Sequence, residues 1–324
     1  MATKEDPANN PAVDHQVRKF LAALNSSGGK PMETMTPQEA RQVLIDAQKG
    51  ADVKLPVCKV EERTIKQDNL TVSLHIVRPE KAKPNSPAFM FFHGGGWVLG
   101  DFPTHERFVR DLVWLSGYTA IFVNYTPSPE AKYPTAINEA YAATKWVSEN
   151  GTEIGVDGKN LALVGNSVGG NMAAVVALMC KDKQGPAIKC QILFWPVTDA
   201  NFETKSYDKF DEGYFLTRDM MKWFWDNYTS DVAVRKEKYA SPLQAKLDDL
   251  MNLPPALIQT AGNDVLRSEG ESYARKLDSA GVPTTITRYT NLIHDYGLLN
   301  ALAEVPAVKV ALDQASQFLK HHLG

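Results

Sequence analysis

The chain has 324 residues, 44% hydrophobic and 23% charged, with a formal net charge of −3. That length and apolar content supply a sizeable core and exclude wholesale disorder, and a near-balanced charge without a dense Lys/Arg block leaves no footprint for nucleic acid. No apolar run approaches the ~20 residues needed to cross a bilayer, and three scattered cysteines, Cys58, Cys180 and Cys190, offer neither a disulfide framework nor a metal-binding pair.

The first residues, "MATKEDPANNPAVDHQ", are polar and mixed in charge. They lack the apolar stretch of an export signal, so a cytoplasmic protein is expected. Val17, Phe20, Leu21 and Leu24 then fall at helical spacing before Gly28-Gly29. A second helix is expected over "TPQEARQVLIDAQKG", with Thr36 as N-cap, Pro37 at its first position and Gly50 at its end. "CKVEERTI" and "TVSLHIVRP" read as an antiparallel pair of strands, and "AFMFF" as a short strand buried on both faces. From there strands and helices alternate. Strands are expected at "YTAIFVNY", "LALVG", "CQILFWP", "PALIQTAG" and "PTTITRY", and helices at "THERFVRDLVWLSG", "PTAINEAYAATKWVSENG", "VGGNMAAVVALMCK" and "RSEGESYARKLDSAG". The stretch "YGLLNALAEVPAVKVALDQASQFLKHH" reads as helical, kinked or divided at Pro306.

Short buried strands separated by helices call for a mostly parallel sheet with helices on both faces. Active groups in such sheets gather at the loops leaving the strands' carboxyl ends. Residues 200–240 interrupt the alternation, with nine aromatics crowded between 201 and 231, among them Phe215 and Trp223. This segment reads as an insertion over the strand ends, forming a cap with the N-terminal helices. Residues 1–50 are therefore assigned to the cap, and 51–324 to an α/β core carrying the insertion. Phe215 and Trp223 are the candidates to touch substrate.

Gly165-Asn166-Ser167-Val168-Gly169 is a G-x-S-x-G sequence between an expected strand and an expected helix. A sharp strand-to-helix turn needs tiny residues two before and two after the serine, and it lifts the hydroxyl above the sheet. The rival reading is a glycine-rich turn with a capping serine. "FFHGGGWVLGD", residues 91–101, follows another buried strand and presents consecutive glycine amides. Acyl transfer needs such donors for the negative oxygen of its tetrahedral intermediate, so Gly95, Gly96 and Val168 are the expected oxyanion donors. The spacing matches no nucleotide-binding loop.

Of seven histidines, His294 in "YTNLIHDYG" directly follows the last expected strand and is the best general base. Asp264 in "IQTAGNDVLRSEG" lies just past the preceding strand and is the acid placed to hold the imidazole tautomer. Asp295 is set aside, because neighbouring side chains on one loop rarely face each other. No HExxH, cysteine pair or Asp-rich loop supports a metal.

"HGGGW", "GNSVGG", "GNDVLRSEG" and "AGVPTTITRY…IHDYG" together resemble the hormone-sensitive-lipase-like group of α/β-hydrolases, over about residues 50–324. The order Ser167, Asp264, His294 is the order of that superfamily. The resemblance implies an α/β-hydrolase fold with a helical cap. It also implies a carboxylic-ester hydrolase acting on short acyl or aryl esters, a small-molecule substrate, and no cofactor. Three positions depart from the group's pattern. Asn166 stands where Asp is usual, "NYTPSPE" (124–130) replaces "DYRLAPE" and loses its arginine, and Asp-Tyr rather than Gly-Phe follows His294. Two other classes share these residues: a non-catalytic small-molecule binder on the same fold, and an acyltransferase. Neither the oligomeric state, a homodimer included, nor the physiological ester is legible.

Overall fold

The computed structural model describes residues 6–324, so the first five residues of the 1–50 segment lie outside the described residues. Eight strands make one sheet: β1 (Cys58–Gln67), β2 (Leu70–Pro79), β3 (Ser86–Phe92), β4 (Thr119–Asn124), β5 (Val156–Asn166), β6 (Ile188–Phe194), β7 (Ala256–Asn263) and β8 (Thr284–Ile293). Their spatial order is β1-β2-β4-β3-β5-β6-β7-β8. β2 runs antiparallel to both β1 and β4, and every other neighbouring pair is parallel.

The register sets the working edge. Phe92 pairs with Gly165, Asn166 with Phe194, and Asn263 with Ile293. The carboxyl ends of β3, β5 and β6 are therefore level, as are those of β7 and β8, while Phe194 at the end of β6 pairs with Gln259, so β7 runs four residues further. The loops that follow all five open onto one rim. All eight residues of β7 are buried, as a strand covered on both faces requires.

The helices, in chain order, are α1 (His15–Ser26), α2 (Pro37–Lys49), α3 (Phe102–Ser116), α4 (Thr135–Asn150), α5 (Val168–Asp182), α6 (Lys205–Phe210), α7 (Arg218–Tyr228), α8 (Leu247–Leu250), α9 (Arg267–Ser279) and α10 (Pro306–Leu323). α3 packs with α10, α4 packs with α5, and both pairs also contact the sheet. The ends obey local rules. α2 opens on a Thr36–Glu39 capping box with Pro37 just inside. α3 opens on Asp101 and closes at Gly117 in the left-handed conformation. None of the helices among the described residues is long and apolar enough to cross a membrane.

The C-terminal helical stretch needs a correction. Pro306 does not kink a helix already under way but occupies the first position of α10, where its missing N–H costs nothing. Residues 296–305 hold only a short 3₁₀ turn at Asn300–Leu302. Side chains claim the carbonyls a helix would have used: Arg107 Nη2 donates to Gly297 O and, at 2.8 Å, to Leu298 O, which also accepts from Gln48 Nε2 at 3.0 Å.

Candidate active site

Ser167 sits between β5 and α5 with φ 55° and ψ −121°. A non-glycine residue there costs roughly 1–3 kcal/mol and persists only where its surroundings over-determine it. They do. Its N–H donates to Phe194 O at 2.9 Å, and its carbonyl accepts from Val197 N–H at 3.1 Å. The flanking glycines are forced: a Cβ on Gly165 would lie 2.1 Å from Gly169 O, and one on Gly169 would lie 1.9 Å from Phe92 O. The tight turn is thus a product of backbone packing, and the hydroxyl it carries lines a cavity.

His294 leaves the end of β8, and Asp264 the end of β7. Asn263 ties these two ends together, its amide donating to Thr290 O at 3.1 Å and Leu292 O at 3.2 Å. His294 Nδ1 lies 2.8 Å from Asp264 Oδ2, and Nε2 lies 3.0 Å from Ser167 Oγ. The other oxygen of Asp264 accepts Leu266 N–H at 3.0 Å. A carboxylate only accepts, so the ring proton belongs on Nδ1, and Nε2 presents its lone pair to the serine hydroxyl. All three side chains are buried. Burial by itself would pull the His294 pKa down. The carboxylates of Asp264 and Asp295 outweigh it and raise the value above that of free histidine.

Asp295 is closer to the chemistry than its sequence position suggests. Its backbone has φ 58°, and this turns the carboxylate back so that Oδ1 lies 3.8 Å from His294 Nε2. The same oxygen accepts from Trp195 Nε1 at 2.8 Å and from Asn166 Nδ2 at 3.4 Å. Burial raises the pKa of Asp295. Asn166 in turn accepts Gly94 N–H at 3.0 Å. A neutral amide is therefore what this position needs, since it must donate to one neighbour and accept from another.

The loop after β3 carries His93 to Leu99. The amides of Val98 and Leu99 both donate to Gly95 O, at 3.1 and 2.7 Å. No acceptor among the described residues takes the amides of Gly95, Gly96 or Val168. His93 is structural: its ring stacks on Tyr125 with centroids 4.0 Å apart, Nδ1 bonds Gly94 O at 2.8 Å, and burial lowers its pKa to about 4.

The cavity above Ser167 measures about 440 Å³. Its floor is Gly95, Gly96, Ser167 and His294, and its walls come from α1, α2 and the 213–224 segment. Phe215 lines it, at φ 78°. Trp223 is not among the lining residues. It is half-buried against Phe224, which lines the cavity in its place. The reason is helical phase: Thr217, Met220, Met221 and Phe224 line the cavity at i, i+3, i+4 and i+7, and Trp223 lies off that stripe. Trp225 and Tyr228 face another way, onto Trp97, with Tyr228 stacked on it at 4.0 Å. No cluster of three or more His, Cys, Asp or Glu among the described residues could hold a metal ion.

A family model described as the alpha/beta hydrolase fold matches residues 89–298. The chain is 34% identical over 271 residues to a carboxylesterase of Mycobacterium tuberculosis, with 83% of this chain and 84% of the relative covered. It is 30% identical over 291 residues to an ethyl acetate hydrolase of Pseudomonas putida, covering 88% and 91%. Among solved structures, a thermostable esterase from Pseudomonas putida ECU1011 superposes with a TM-score of 0.96 at 60% identity, covering 97% of this chain and 99% of that one. The chain belongs to the α/β-hydrolase family, in its hormone-sensitive-lipase-like group, and is a carboxylic-ester hydrolase.

Proposed function

We propose that the chain hydrolyses short acyl or aryl esters by two-step acyl transfer, with Ser167 as nucleophile. The observation that carries this reading is the continuous relay from Asp264 Oδ2 through both ring nitrogens of His294 to Ser167 Oγ.

Ser167 Oγ attacks the ester carbonyl as His294 Nε2 takes its proton. Asp264 holds the ring and stabilises the imidazolium. The carbonyl oxygen becomes an oxyanion, held by the amides of Gly95, Gly96 and Val168. Collapse breaks the bond to the alcohol, which leaves with the proton from His294. Water then enters, gives a proton to His294 and attacks the acyl carbon. Collapse breaks the bond to Ser167 Oγ, which takes the proton back from His294 as the acid leaves. Helix α5 begins at Val168, so its dipole adds positive potential at the oxyanion.

α1, α2, α6 and α7 act as the cap, and the cavity they close sets substrate size. About 440 Å³ lined largely by Met, Leu and Phe suits a small apolar acyl or aryl group. The names of the ethyl acetate hydrolase and of an arylesterase from Saccharolobus solfataricus, 32% identical over 287 residues, fit that class.

The test is a series of p-nitrophenyl esters of rising acyl length, with Ser167→Ala as control. Turnover should peak at short chains, and the variant should lose on the order of 10⁶ in kcat. Retained hydrolysis by Ser167→Ala would overturn the assignment of the nucleophile.

A further inference from the structure

The loop at 124–130 lacks the arginine of its group's pattern, yet its glutamate is not left alone. Glu130 is paired by Arg41 of α2. All three nitrogens of that guanidinium are engaged. Nη1 donates to Glu130 Oε1 at 2.8 Å and Nη2 to Glu130 Oε2 at 2.7 Å, while Nη2 also reaches Ser128 O at 3.0 Å and Nε reaches Val98 O at 2.8 Å. Val98 closes the turn that begins at Gly95, and Ser128 N–H donates to Trp97 O at 2.8 Å. One side chain thus joins the N-terminal helix α2, the 95–99 turn and the 128–130 segment.

We propose that Arg41 is a positioning residue for the 95–99 turn, making turnover depend on the contact of α2 with that turn. Resting on the assignment of the Gly95 and Gly96 amides to the oxyanion, the inference adds what holds those amides in place. The arrangement is poorly explained as a stabilising ion pair. Arg41 and Glu130 are 24% and 45% exposed, and exposed pairs contribute only ~0–1 kcal/mol. A planar fork, by contrast, fixes two carbonyls and a carboxylate in one geometry, which a point-charged lysine cannot do. Arg41 also holds the Glu130 carboxyl below its usual pKa, so the pair stays charged through neutral pH.

Gln48 provides the control. It anchors the other end of α2, donating to Thr104 O at 2.6 Å and Leu298 O at 3.0 Å and accepting Asn300 N–H at 3.0 Å, and it makes no bond to the 95–99 turn. The experiment compares wild type, Arg41→Ala, Arg41→Lys and Gln48→Ala on p-nitrophenyl butyrate. Amide hydrogen exchange is followed in parallel on a peptide spanning the 95–99 turn. Because small misplacements of catalytic groups cost up to ~10²-fold, Arg41→Ala should lower kcat by about 10–100-fold with little change in KM. Arg41→Lys should recover part of that, and Gln48→Ala should move KM and leave kcat near wild type. Exchange in the turn should quicken in Arg41→Ala but not in Gln48→Ala. Unchanged exchange with unchanged kcat in Arg41→Ala would overturn the positioning role, as would an equal kcat loss in Gln48→Ala. Faster exchange with unchanged kcat would instead place the failure in the oxyanion assignment, and the dependence of turnover on α2 would fall with it.

Discussion

The two halves that enclose the cavity are built on different principles. The lower half is the rim of the sheet, where buried polar groups are held by short hydrogen bonds and strained backbone. Trp97, Ser167, Trp195 and Asp295 all have positive φ there, whereas elsewhere such values fall mainly on Asn, Asp and Gln, residues that tolerate them in turns. The upper half, α1, α2 and the 205–228 helices, is apolar toward the cavity and reaches the core through a few polar ties, such as Arg41 and Gln48. Phe215 is its one residue in the strained set. Strain concentrated in the lower half indicates where geometry must be exact to tenths of an ångström, while the upper half needs only shape and apolarity. Changes in the rim, and in Arg41, which reaches down to hold its 95–99 turn, should therefore act on kcat, and changes in the cavity-lining side chains of the covering helices on KM.

The sharpest way to break that division is Asp264→Asn. It keeps the shape of the site but no longer enforces the ring tautomer, and should cost about 10⁴ in kcat with KM little altered. A loss confined to KM would erase the distinction between the halves.

A smaller effect concerns pH. His294 must be neutral to accept the serine proton, and its pKa is raised by the charges of Asp264 and Asp295. Activity should therefore fall as pH drops through that raised value. Asp295→Asn removes one of the charges, lowers the histidine pKa, and should move the acid limb of the kcat/KM profile to lower pH. A limb that stays in place would show that Asp295 does not act on His294.

Much of the rim was legible because its signals are local. G-x-S-x-G between strand and helix, three glycines after an apolar strand, and an acid and a histidine each just past a strand are readable without tertiary knowledge. Asp264 and His294 meet because their strands are neighbours in register, which the alternating pattern implies. Asp295 was not legible, because only its left-handed backbone turns the carboxylate toward His294. Arg41 was not legible either: its partners lie 57 to 89 residues away, and nothing in "PQEARQVLI" distinguishes it from an exposed helix arginine. The segment 124–130 has no arginine of its own, but Glu130 is paired by Arg41 of α2, and Thr126 gives both its N–H and its hydroxyl to Glu139. Phe224 could have been found. Three consecutive aromatics hide the phase, but Thr217, Met220 and Met221 reveal it.

That phase gives the mildest prediction. Phe224→Ala should raise KM for short aryl esters by roughly tenfold, in line with the worth of apolar contacts in a specificity pocket, and leave kcat nearly unchanged. Trp223→Ala should leave both constants close to wild type. Equal effects from the two would mean that the covering helix turns a different face to substrate.

The central claim is that Ser167 is a nucleophile activated by His294. Its most direct test is mass spectrometry after treatment with a fluorophosphonate, which phosphonylates an activated serine and loses fluoride. The account predicts a single adduct on the peptide containing Ser167, absent in Ser167→Ala and strongly slowed in His294→Ala. An unlabelled wild-type protein, or an adduct on a different residue that persists in Ser167→Ala, would contradict it.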